Sequence, residues 1–199
     1  MAESLGYFLE FCKQREKFLQ FTWIADKHYD FELGDRSALG SLVRKSKTYG
    51  DYPGDIGSAH QLAGILVNVV SATLSTRYSL ENVNAVVHVP AFPPKHPFNL
   101  PTVLAEDISK AFSWDNASLR FRKIRETPEA KFGLNEDTTS AYVFDGRLEG
   151  SNILIVDDLY STGQTLNMLA GVLVRAGANH VYGLCASRVS KGMTFRGRS

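Results

Sequence analysis

The sequence predicts an α/β protein whose parallel sheet is covered by helices on both faces. Apolar runs at residues 83–89 (VNAVVHV), 153–156 (ILIV) and 180–186 (HVYGLCA) have the near-continuous hydrophobicity of strands buried on both sides. Segments of helical period separate them, and strand-helix-strand alternation implies a parallel sheet. Two loops of unusual composition, PAFPPKHP at 90–97 and DDLYSTGQT at 157–165, follow the first two of these strands. Parallel sheets place their ligands at such strand ends.

Each element has its own warrant. Leu5, Phe8, Leu9 and Cys12 recur at helical spacing, and Phe18, Leu19, Phe21 and Trp23 continue an aromatic stretch. They predict an N-terminal helical extension, residues 1–35, packed on the core. Residues 28–35 read as a short irregular or strand segment, and Leu39, Leu42 and Val43 mark a short helix. YGDYPG at 49–54 is a turn by composition. Ile56, Ala59, Leu62, Ala63, Leu66, Val69, Val70 and Thr73 then hold a 3.6-residue period over about five turns.

The loop at 90–97 is too proline-rich to be helical, and Leu104, Ile108, Ala111 and Phe112 give the next helix. Residues 118–144 hold no sustained period. A long unpatterned segment inside a compact domain is usually a functional lid or a mobile loop. Residues 165–176 read as a helix with Leu166, Leu169, Ala170 and Leu173 inward and Gly177 as its stop. The main domain is expected over 36–188, followed by a mobile basic tail at 189–199.

Composition narrows the function classes. The chain has 199 residues, 44% hydrophobic and 22% charged, enough for one well-buried core. Lys plus Arg total 22 against 21 for Asp plus Glu, a net charge of +1 that supplies no global field for nucleic acid or an anionic membrane. Cys12 and Cys185 stand far apart without CxxC spacing, so neither a zinc site nor a disulfide framework is indicated. Glu3 stands where a secretory leader wants positive charge, and the longest apolar stretch, 62–70, is broken by Gly64 and Asn68. A cytoplasmic protein without membrane attachment is expected.

The chemistry concentrates in NILIVDDLYSTGQT at 152–165. Ser161, Thr162, Gly163, Gln164 and Thr165 lie where a strand has ended and a helix begins. Backbone N–H groups there point outward with the positive end of the helix dipole behind them, a cradle for phosphate. Gly163 lets the backbone approach the anion, and the Ser161, Thr162 and Thr165 hydroxyls can donate to its oxygens. Asp157 and Asp158 precede the cradle at a distance that suits a ribose. Ionised carboxylates only accept hydrogen bonds, so the pair can grip vicinal sugar hydroxyls, each bond contributing about 1.5–3 kcal/mol. Hard divalent cations also favour such oxygens. Two like charges side by side further predict that Asp158→Asn leaves the fold unharmed.

Three competing roles account for less of the motif. Helix capping uses one acid, not the whole run. A phosphoacceptor receiver domain, whose first strand also ends in paired acids, expects about 100 residues to follow, more than stand after Asp158. A nucleoside triphosphatase wants GxxxxGK[ST], and the sequence has no Gly-Lys pair.

An apolar strand, Asp157-Asp158 and then Ser161-Thr162-Gly163-Gln164-Thr165 resembles the phosphoribosyl pyrophosphate loop of type I phosphoribosyltransferases. Over about residues 39–188 the chain is similar to the ComF-like, competence-associated branch of that family, through LVRKSKTYGDY, VVHVPAFPPKHPFN, RKIRETPEAKFGL, TTSAYVF and the C-terminal ILIVDDLYSTGQTLNMLAGVLVRAGANHVYGLCASR. The resemblance implies a Rossmann-like parallel sheet with a flexible hood at about 118–145. It implies that Asp157 and Asp158 hold ribose hydroxyls and share a magnesium ion, and that residues 161–165, with Tyr160 beside them, bind the 5′ phosphate. Lys95 becomes the charge partner of pyrophosphate. Magnesium binds pyrophosphate in such enzymes, and departure of that group leaves an oxocarbenium-like centre that a nitrogen nucleophile traps. A nucleobase acceptor and a homodimeric assembly are the partners the resemblance allows for.

The sequence departs from the family at several places. The cysteine-rich zinc module that often opens it is replaced by the aromatic N-terminus. The usual Arg-Gly-Phe-Asn after the proline loop is Pro97-Phe98-Asn99, and the hood lacks a Gln before its Leu and an Arg and an Asn after it. These losses fall on the pyrophosphate and acceptor sides. They set up a rival function, a regulatory or DNA-uptake accessory module that binds the ligand without turnover. The cluster Arg120, Arg122, Lys123 and Arg125, with Phe121 interleaved, is a candidate for phosphate or single-stranded nucleic acid, against a solvated loop face. His88 is expected to be a satisfied core histidine, and His96 is a weaker candidate than Lys95.

Overall fold

The structure, a computed structural model, describes residues 7–11, 17–30, 35–47, 54–91, 99–125 and 141–189. In chain order it contains β1 (Phe8–Glu10), β2 (Thr22–Lys27), β3 (Tyr29–Asp30), β4 (Asp35–Arg36), α1 (Ala38–Ser46), α2 (Ile56–Thr73), β5 (Ala85–His88), α3 (Leu100–Phe112) and β6 (Asp115–Asn116). A 3-10 turn (Ala117–Arg120) leads to β7 (Phe121–Lys123), β8 (Tyr142–Phe144), β9 (Asn152–Tyr160), α4 (Gln164–Arg175) and β10 (His180–Arg188). Six strands form the central sheet in the order β1-β2-β10-β9-β5-β6. All neighbours are parallel except β1, which runs antiparallel to β2. Mixed α/β architecture with a mostly parallel, doubly covered sheet is the class the sequence predicts.

Alternation along β9 divides the core. Leu154 and Val156 face α1, α2 and α3 together with Val86, Leu184 and Ala186. Ile153 and Ile155 face α4 and the β7–β8 ribbon together with Val87, Val181 and Cys185. All four β9 residues are fully buried. Burying a side chain of that size contributes about 1.5–3 kcal/mol, which is why this strand reads as an uninterrupted apolar run. The period read for α2 is observed, except that its first residue, Ile56, is 47% exposed. Asp55 starts that helix by accepting from the backbone N–H groups of Gly57 at 3.2 Å and Ser58 at 3.0 Å.

The N-terminal expectation is overturned. Among the described residues of that segment there is no helix, because residues 8–10 and 22–27 are strands. Trp23 and Ala25 pack on one face of the sheet and Ile24 on the other, and Phe8 and Leu9 split in the same way. That is a period of two. The apparent helical spacing loses to the parallel edge of β10, whose unpaired backbone groups β2 satisfies through a register from Gly183↔Thr22 to Arg188↔Lys27.

Two further boundaries move. β9 continues past Val156 to Tyr160, so both acids are strand residues rather than loop residues. The described part of the expected hood, 118–125 and 141–144, forms a two-stranded ribbon whose Phe121 and Tyr142 pack into the core on the α4 side. No helix among the described residues is long and apolar enough to cross a membrane.

Candidate functional site

β9 ends at the buried Tyr160, the chain bends through Ser161, Thr162 and Gly163, and α4 begins at Gln164. Gly163 occupies the N-cap in the left-handed region, φ +73°, and the Thr162 hydroxyl oxygen accepts from the Gln164 N–H at 3.4 Å. A Cβ at this position would also stand 2.7 Å from the Tyr160 hydroxyl. Both the conformation and the contact therefore call for glycine. The Asn167 N–H donates to the Gly163 carbonyl at 2.9 Å and closes the first turn. The first turn of α4 carries no acidic residue, so its positive end meets the loop unneutralised.

Asp157, Leu159, Tyr160 and residues 161–166 line a cavity of about 70 Å³ here. It is far below the ~300 Å³ or more that a whole small-molecule ligand asks. It suits one tetrahedral anion, with the rest of a ligand lying outside it.

The two acids part company at the strand's end. Successive strand residues point to opposite faces. Asp157 shares the side of Ile153 and Ile155, reaches the floor of the cavity, and accepts from the Asp158 N–H at 2.9 Å. Burial pushes its pKa up to about 7, a rise that the Lys47 charge only partly offsets.

Asp158 goes to the opposite side, is 7% exposed, and forms an ion pair through Oδ2 with the Lys47 ammonium. Lys47 is the C-cap of α1, in extended conformation, so the chain turns out of the helix where the side chain is needed. Its own pKa is lowered by burial, with the Asp157 charge working the other way.

The lysine's placement is built from the β2 end of the sheet. Ser37 caps α1 by accepting from the Gly40 N–H at 3.0 Å, and its hydroxyl donates to the Lys27 carbonyl. At Gly40 the helix comes so close to β2 that a Cβ would lie 2.0 Å from the His28 carbonyl oxygen. His28 is buried, hydrogen-bonds through Nδ1 to Ser187 Oγ at 2.9 Å, and is anchored by its N–H on the Arg188 carbonyl. Burial, then the charges of Arg36 and Lys47, lowers its pKa and keeps the ring neutral near pH 7. Lys47 is the site residue that sequence reasoning passed over. It sits in LVRKSKTYGDY as one of two lysines, and only the fold shows which one meets Asp158.

Other expectations fare unevenly. Asp157, Tyr160, Ser161, Thr162, Gly163, Gln164 and Thr165 come together around the cavity, whereas Asp158 does not line it. Lys95, His96 and most of the proline loop lie outside the described residues, as do residues 126–140 of the hood and the tail from 190. Arg120 pairs with Asp115 and Arg122 with Asp145, each at 2.6 Å, and Lys123 lies 5.5 Å from the Tyr142 ring centroid. Three members of the basic cluster are thus engaged with neighbouring side chains, Arg120 with one from β6 and the other two within the ribbon or just past it. His88 is not the satisfied core histidine expected: Nε2 stands 3.4 Å from Thr102 Oγ1, but the buried Nδ1 has no hydrogen-bond partner among the described residues. Burial lowers its pKa to about 4.

The donor set does not fit a magnesium ion held between the two acids. They leave the strand on opposite faces, and an ammonium already occupies the Asp158 oxygen. Among the described residues no three His, Cys, Asp or Glu side chains converge.

No protein-family model matches the chain, and no curated protein matches it. Solved structures do. It is similar to adenine phosphoribosyltransferase from Saccharomyces cerevisiae, solved with an imino-altritol bisphosphate and adenine, at 15% identity and a TM-score of 0.46, covering 76% of this chain and 96% of that one. It is similar to adenine phosphoribosyltransferase from Leishmania donovani at 14% identity and a TM-score of 0.45, covering 94% and 93%. It is also similar to orotate phosphoribosyltransferase from Aeropyrum pernix at 16% identity and a TM-score of 0.41, covering 80% of this chain and 71% of that one.

Proposed function

We propose that this chain binds phosphoribosyl pyrophosphate at the β9–α4 loop and transfers the phosphoribosyl group to a nitrogenous acceptor, a nucleobase, with release of pyrophosphate. The observation that carries this reading is the loop cavity itself: a left-handed Gly163 at a helix N-terminus whose first turn holds no acid, with one carboxylate, Asp157, in its lining. The cavity takes the 5′ phosphate on backbone N–H groups and the Ser161, Thr162 and Thr165 hydroxyls. Asp157, when ionised, accepts from a ribose hydroxyl and places negative charge beside a ring that becomes cationic.

The bond from C1 to the pyrophosphate oxygen breaks with its electron pair leaving on pyrophosphate, and the acceptor nitrogen supplies the new pair to C1. No residue needs to bond covalently to the sugar. The protein contributes position and charge. Lys95 is proposed to face the pyrophosphate, and magnesium to act only as that group's counter-ion, since the acids offer no shared seat.

The second reading, a ligand-binding regulatory module without turnover, is favoured by the commitment of Arg120 and Arg122 to Asp115 and Asp145, which takes two cations away from a leaving group. Incubation with phosphoribosyl pyrophosphate, magnesium and a nucleobase panel separates the two. Pyrophosphate release with any base supports transfer, calorimetric binding without release supports the regulatory module, and no binding overturns both.

A further inference from the structure

The ion pair between Lys47 and Asp158 deepens the proposed function and rests on it. Asp158 is almost enclosed, its side chain 10% exposed, while the Lys47 side chain is 26% exposed. The ammonium therefore meets the acid on one side and keeps some exposure on another. An ammonium has three N–H donors, and one carboxylate oxygen uses one of them. Asp157 also acts on this charge electrostatically from the cavity side. Among the described residues, the neighbouring titratable groups bring no further anion: His28 is neutral and tied to Ser187, and Arg36 is itself cationic.

We propose that Lys47 is the resident cation of the sugar-phosphate site: it neutralises Asp158 and turns its remaining donors to the ligand's oxygens, so that a ribose phosphate is held with no metal ion on the acids. A positioning lysine of this kind occupies the place that a divalent cation would otherwise take between carboxylate and ligand. It is carried by α1, on the opposite side of the sheet from the phosphate loop, so the ligand is gripped from both sides of β9.

Two measurements test this. In the ligand-free protein, magnesium chloride is expected to leave the wild-type melting temperature unmoved. A magnesium-induced rise in the wild type overturns the proposal. By calorimetry, ribose 5-phosphate is expected to bind the wild type equally in EDTA and in magnesium. Binding is expected to be about tenfold weaker in the double variant Lys47→Met/Asp158→Asn, the loss of one charged hydrogen bond, and largely preserved in Lys47→Arg. The double variant removes both charges together, so it serves if Lys47→Met alone does not fold. Wild-type binding only with magnesium, or a double variant that binds like the wild type, also overturns the proposal. If ribose 5-phosphate binds the wild type in neither buffer, the proposed function fails, and the melting experiment alone decides the role of the lysine.

Discussion

Asp157 and Asp158 are adjacent and chemically identical, yet the strand sends them into opposite environments. Asp157 is held near neutrality by burial, with a pKa of about 7. A ligand that needs the carboxylate must displace that proton, so affinity for ribose 5-phosphate should rise about tenfold per pH unit below 7 and level off above it. Titration calorimetry at a series of pH values checks this, and Asp157→Asn should bind more weakly and lose the rise between about pH 6 and 7, keeping below that only the slope of the ligand's own second phosphate ionisation, which lies at about 6. Asp158 behaves differently. The sequence alone suggested that its charge strains the site, but the charge is the counter-ion of a half-buried lysine. Asp158→Asn should therefore destabilise the fold by about 1–3 kcal/mol in urea unfolding. That is below the 3–5 kcal/mol of a fully buried pair, because Lys47 keeps some exposure and Asp157 stands nearby.

At the scale of elements, the sequence showed what local rules control. The long runs of β5, β9 and β10 and the period of α2 announce themselves, because burial on both faces or on one helical face writes directly into residue type. The strand-to-helix setting of the Ser-Thr-Gly turn was legible too, since its residue types stand consecutively at the end of an apolar run. The N-terminal strands were not. Whether FTWIAD is helix or strand depends on an open edge of β10, which is distant in sequence. Lys47 escaped for the same reason, because its partner is fixed by topology alone. The insertion of β2 makes a quantitative expectation: Ile24 is fully buried inside the sheet, and Ile24→Ala should cost about 2–5 kcal/mol. Amides of 22–27 should be protected from hydrogen exchange to the same degree as those of β10.

Over the whole molecule, buried titratable groups act on stability in opposite senses. His88, with a folded pKa of about 4 against 6.5, binds protons more readily when unfolded, so its contribution to stability rises with pH from about 4 to 6.5. His28, also lowered, acts in the same direction. Asp157, raised from 3.8 to about 7, holds its proton more tightly when folded, so its contribution falls as pH rises across nearly the same window. The opposing slopes should partly cancel in the wild type. Urea unfolding at a series of pH values should reveal each alone: His88→Asn falling in stability as pH rises, and Asp157→Asn climbing.

Gly40 gives the arrangement a practical boundary. The approach of its Cα to the His28 carbonyl ties the start of α1 to the end of β2, and the far end of the same helix delivers Lys47. An N-terminal segment that touches no ligand in the proposed site thereby sets the coordinates of one of its charges. A recombinant protein trimmed to residues 36–188, the minimal unit that motif spacing alone would recommend, would keep the entire β9–α4 loop and lose the support that places Lys47. Any transplant of this site into another scaffold would have to carry β2 with it.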